Sequence, residues 1–121
     1  MSGRSARTRR TARLLAGLLV GLLVGQWAAP ARAEVPQFEL RIRNHLFEPA
    51  EITIPANTKV RLVVRNLDPT PEEFESWELN REKVILGGQT AVIFVGPLAP
   101  GDYPFFGEFS PKTAQGRLLV R

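Results

Sequence analysis

From residue 34 onward, apolar and polar positions alternate with a period of two, and no stretch sustains a helical stripe. "FELRI" sets Phe38, Leu40 and Ile42 on one face and Glu39 and Arg41 on the other, the pattern of a half-buried strand. "EITI", closed by "PAN", predicts a short edge strand and a turn. "KVRLVVRN" turns Val60, Leu62 and Val64 inward and Lys59, Arg61 and Arg65 outward. "LDPTPEE" is a loop, with Asp68 expected to cap its turn by bonding its own backbone. "FESWEL", "TAVIFVG", "YPFF" and "GRLLV" complete a set of about seven strands punctuated by Pro and Gly. Gly116 is expected where the chain makes a close approach before the last strand. "NREKVIL" is the single candidate helix. The pattern predicts an all-β sandwich or barrel.

Residues 1–33 break this pattern. Arg4, Arg7, Arg9, Arg10 and Arg13 precede the apolar run Leu14 to Gly25, and Ala31 and Ala33 flank Arg32. A basic start, a short apolar run and a small-x-small site predict a cleaved export signal ending at Ala33, with an uncleaved anchor as the alternative. The apolar run falls short of the roughly 20 residues that span a membrane. "TRRTAR" lacks the apolar residue expected after a twin-arginine pair, so the export route stays open.

Removing the signal reverses the charge. The whole chain has a net charge of +4, but six of its sixteen Lys and Arg and none of its twelve Asp and Glu lie in residues 1–33. Ten basic residues against twelve acidic ones leave residues 34–121 at −2. A nucleic-acid role loses its electrostatic basis. The absence of cysteine excludes a disulfide framework, a thiolate metal site and thiol chemistry together. Residues 34–121 are expected to form one small exported domain held by its core alone.

"FEPAEITIPANTKVRLVVRNLD" and "GPLAPGDYPFF…GRLLV" resemble a cupredoxin, which implies a Greek-key β-sandwich. In blue-copper members the Tyr-x-Phe-x strand leads to a cysteine, then a histidine and a methionine, with a first histidine in the loop after the strand that ends here in "RNLD". The resemblance places the cysteine at Gly107, the second histidine at Ser110, the methionine near Gln115 and the first histidine within Glu72–Phe74. None of these residue types is present there, and His45 is the lone histidine. Blue-copper chemistry needs a thiolate and two imidazoles, so that site is excluded. "TPEEFESWELNREKVILGG" with "FFGEFSPKTAQG" is similar to the EfeO-type cupredoxin-like domain of bacterial Ftr-type ferrous-iron uptake systems. That resemblance implies an exported iron-binding protein, with copper as a second metal. Its implied partners are an inner-membrane iron permease and a second periplasmic iron-binding protein.

Glu72, Glu73, Glu75, Glu78 and Glu82 crowd one short stretch, and Glu108 follows the lost cysteine. In a cupredoxin the two loops meet at one pole. Glu75, Glu82 and Glu108 are therefore expected to converge as a metal site, with Glu73 and His45 as further candidates. Converging carboxylates repel unless a cation or a shared proton relieves them, and hard oxygen donors suit iron. The alternative is that the acids solvate loops and the domain is a metal-free docking module. An oxidase acting on ferrous iron is the enzymatic reading, and a carboxylate cluster without a copper relay equips it poorly. Tyr103, Phe105 and Phe106 are expected in the core, and Trp77 at its rim.

Overall fold

The computed structural model describes residues 2–3, 17, 20–25, 27 and 34–121. Most of the expected export signal, including its arginines and the Ala31–Ala33 site, lies outside the described residues. The chain divides into two compact units, residues 1–31 and 32–121. Among the described residues, no helix is long and apolar enough to cross a membrane.

The second unit is a two-sheet sandwich. Its strands are β1 (Gln37–Arg43), β2 (Leu46–Glu48), β3 (Glu51–Ile54), β4 (Val60–Asn66), β5 (Glu72–Ser76), β6 (Arg81–Ile85), β7 (Thr90–Val95), β8 (Gly101–Gly107) and β9 (Gln115–Val120). One sheet runs β2-β1-β4-β7 and the other β3-β9-β8-β5-β6. Parallel pairs join β1 to β4 and β3 to β9, and antiparallel pairs make up the rest.

Period-two alternation puts one row of each sheet into the core. Leu40, Ile42, Leu62 and Val64 face Ile54, Phe74, Phe105 and Leu118 across the interior, all almost fully buried. Phe47 packs edge-on against Phe105 with ring centroids 5.0 Å apart, and Phe74 stacks on Phe105 at 5.0 Å. Each such ring, once buried, contributes about 2–3 kcal/mol of hydrophobic stabilisation. Phe105 is thus a core residue as expected, whereas Phe106 points outward and meets Trp77 edge-on at 5.5 Å. Gly116 makes the expected close approach, because a Cβ there would stand 2.5 Å from the Phe105 ring and 2.7 Å from the Ala50 carbonyl.

Among the described residues, nine strands replace the expected seven or so. The added ones are β2 and β6, and "NREKVIL" is strand rather than helix. Asn80, with φ 51°, closes the turn that sends β6 back along β5, so the chain enters a hairpin where a helix would begin. Asn44 and His45 form the two-residue turn between β1 and β2, both left-handed with φ 51° and 59°. Asp68 serves that turn and not its own: its Oδ1 accepts from the Asn44 N–H at 2.7 Å and its Oδ2 from the His45 N–H at 2.9 Å. Its own loop is folded instead by Asn66, whose Nδ2 donates to the Thr70 and Ile85 carbonyls.

Candidate metal-binding face

The alternation of β5 separates its glutamates. Phe74 and Ser76 are buried and point inward, and Glu72 shares their face. Glu73 and Glu75 occupy the opposite, outer face. Glu75 lies directly across from Glu82 of β6 and from Phe106 of β8 in the strand register. Just beyond β8, the Glu108 N–H donates to the Glu73 carbonyl at 2.9 Å, which extends the ladder and brings Glu108 alongside β5. Glu73, Glu75 and Glu82 therefore lie on the outside of the five-stranded sheet with Glu108 beside them, and not at a loop pole.

The four acids meet as two pairs. A carboxyl hydrogen bond to Glu82 is the main reason that Glu73 is pushed up to about 7, helped by burial and by the charges of Glu82, Glu75 and Glu108. Glu108 is raised chiefly by its carboxyl hydrogen bond to Glu75, then by the Glu75 charge, desolvation and the charges of Glu82 and Glu72. Among the described residues, no Lys or Arg forms an ion pair with any of the four; the ion pairs involve Glu39, Glu51, Asp68 and Asp102. Arg81, although next to Glu82 in sequence, donates to the Phe94 and Asn80 carbonyls. Also among the described residues, no three His, Cys, Asp or Glu side chains are grouped closely enough to hold a metal ion as they stand.

His45 stands elsewhere. Its Nδ1 is 3.8 Å from Asp68 Oδ2, and its carbonyl accepts from the Thr113 hydroxyl at 3.0 Å. Trp77 is three-quarters exposed and donates from Nε1 to Glu75 Oε1 at 3.0 Å.

Beneath the outer face, Glu72 occupies the inner end of the sandwich with only 2 % exposure. Its Oε1 accepts from the Glu73 N–H at 3.0 Å and the Phe109 N–H at 2.9 Å, and its Oε2 is buried with no hydrogen-bond partner. A Cβ at Gly107 would stand 2.7 Å from Glu72 Cδ and 2.7 Å from Ala114 Cβ. The carboxyl group thus fills the space that a side chain at 107 would need. Sequence reasoning left Glu72 out of the candidate residues, yet counting back two from the apolar Phe74 places it inward.

A two-sheet sandwich whose Tyr-x-Phe strand ends at a loop pole is the architecture of the small copper proteins. The chain belongs to the cupredoxin-like domain family, whose model matches residues 14–120. It is 42% identical over 84 residues, 69% of this chain and 67% of the relative, to the uncharacterized protein RP394 of Rickettsia prowazekii (strain Madrid E). Among solved structures it is similar to the Cu(I)-bound metal-binding domain of the Streptococcus pneumoniae D39 Cu(I)-exporting P-type ATPase CopA. That match has a TM-score of 0.63 and 17% identity, and covers 70% of this chain and 84% of that one. Auracyanin A, a blue copper protein of Chloroflexus aurantiacus, matches with a TM-score of 0.62 at 13% identity, over 73% of this chain and 100% of that one. Amicyanin of Paracoccus versutus matches with a TM-score of 0.58 at 16% identity, over 75% of this chain and 87% of that one. These likenesses establish the fold. A blue-copper centre does not fit this pole, where Gly107 and Ser110 stand at the thiolate and imidazole positions and the Glu72 carboxyl fills the space between the loops.

Proposed function

We propose that this chain is an exported, EfeO-type accessory protein of ferrous-iron uptake that takes iron as cargo on the outer face of its five-stranded sheet. The observation that carries this reading is the pairing of Glu73 with Glu82 and of Glu75 with Glu108, with no basic side chain among the described residues ion-paired to any of them. A cation that draws the two pairs together relieves their mutual repulsion, and four carboxylates suit a hard ion such as ferric iron. Copper is the second candidate cargo. His45, engaged with Asp68, is not needed by this reading. The matching partners are an inner-membrane iron permease and a second periplasmic iron-binding protein. Isothermal titration with iron and with copper tests it on the wild type and on the Glu75→Gln, Glu82→Gln, Glu108→Gln triple variant. The expected result is binding by the wild type that is lost in the variant; equal binding by both would remove these residues from any site.

A second reading, a metal-free docking module, draws on the exposure of Trp77 and Phe109, 75% and 52%, beside the acids. Under that reading the wild type is inert to iron, and Trp77→Ala weakens capture of the permease or the iron-binding protein in a pull-down.

A further inference from the structure

Glu72 joins parts of the chain that are far apart in sequence. Its Oε1 accepts from the backbone at the start of β5 and from Phe109, 37 residues further on, in the loop after β8. Charge-assisted hydrogen bonds from two backbone amides to one carboxylate are among the stronger polar contacts a loop can receive. The loop's other long-range anchors among the described residues are two: the Glu108 N–H donates to the Glu73 carbonyl, and Thr113 reaches the His45 carbonyl, whereas Ser110 and Ala114 bond within the segment or to Gly107. Gly107 is the counterpart of this arrangement. Its φ is not in the left-handed region, so the backbone does not demand glycine there. Space does, since Glu72 and Ala114 crowd the position.

Phe109, held by Glu72, directly follows Glu108, the member of the outer acid pairs that comes from another loop. We propose that Glu72 is an internal clamp and a positioning residue. It closes the inner pole with a carboxyl group, fixes the loop after β8, and thereby holds Glu108 beside Glu75. The clamp acts through the backbone and touches no cargo. Its consequence for iron rests on the reading of the outer face as a metal site.

The test uses the full chain and two variants, Glu72→Ala and Glu72→Gln, with backbone amide exchange as the first readout. In Glu72→Ala the Phe109 and Glu108 amides are expected to exchange about tenfold faster, while amides of β1 and β4 keep their rates. Glu72→Gln retains the volume and a neutral acceptor, so it guards against a variant that does not fold; there the Phe109 rate is expected to rise about threefold. Unchanged exchange at Phe109 in the variants that fold overturns the clamp. The second readout is thermal melting of Gly107→Ala. It is expected to lower the midpoint in the wild-type background and to lower it less in the Glu72→Ala background, where the crowding carboxyl is gone. An equal loss in the two backgrounds overturns the spatial half of the proposal. Iron titration separates the two readings: about tenfold weaker binding in Glu72→Ala supports positioning. Wild-type binding retained in full by that variant, with Phe109 freed, overturns positioning. No iron binding by the wild type refutes the metal reading instead, and amide exchange alone then decides the clamp.

Discussion

At the scale of single residues, proton sharing and close contact decide more than residue type. Glu73 binds its proton more tightly in the folded chain than in the unfolded one, because its value rises from 4.5 to about 7. Stability from this group is complete below about 4.5 and declines as pH rises through about 7, as its proton leaves and the carboxylates repel. Glu108, shifted the same way, adds to the same slope. The melting midpoint of the metal-free protein is therefore expected to be higher near pH 5 than near pH 8, by calorimetry, and Glu73→Gln is expected to flatten that difference. A midpoint that rises with pH across this window would contradict the pairing. Asp68 gives a second test at this scale. Asp68→Ala removes the acceptor for two amides of a left-handed turn and is expected to cost about 2 kcal/mol in denaturant unfolding. The charge at Asp68 was readable in the sequence, but its partners were not, since they lie 23 and 24 residues away and only the packed sandwich brings them close.

At the scale of elements, the strands that alternate cleanly were legible and the others were not. Leu40 with Ile42 and Leu62 with Val64 announce their sheet because each strand has one wet and one dry face. β2 is three residues long, too short for a period to register. β6 is exposed at four of its five positions, as an edge strand can be, and its Arg, Glu and Lys read as helix formers. Hydrogen bonding to β5 overrides that preference. The same pairing sets Glu75 directly against Glu82, and like charges in opposed positions weaken a hairpin. Glu82→Gln is expected to raise the melting midpoint of the metal-free protein and to weaken iron binding, a stability gain at the expense of function. A lowered midpoint would show that the shared proton outweighs the repulsion. For the site, the sequence pointed to Glu75, Glu82 and Glu108 and expected them at a loop pole. The strand register puts the acids on the outer face as pairs, Glu73 with Glu82 and Glu75 with Glu108, because β5 carries Glu73 and Glu75 on the side away from Phe74.

At the scale of the molecule, the two outer faces differ in sign. The first sheet turns out Arg41, Arg43, Arg61 and Arg65 with Glu39 and Glu48 among them, whereas the second turns out Glu73, Glu75 and Glu82 with Glu108 at its end, and its Arg117 is paired to Glu51 and Asp102. A small domain of net charge −2 thus carries a strong internal asymmetry. Added salt screens repulsion within the acidic face. The midpoint of the metal-free protein at neutral pH is expected to rise between about 0.01 M and about 0.5 M salt, and iron affinity to fall over the same range. Salt-independent affinity would argue against a carboxylate site.

The contact between Gly107 and Glu72 also constrains how such a chain can drift. Any side chain acquired at 107 meets a neighbour before it can become a ligand, and loss of the glutamate alone leaves a hollow and two unanswered amides. A change at either position is therefore expected to need a matching change at the other, and thiolate chemistry at 107 has no single-substitution route.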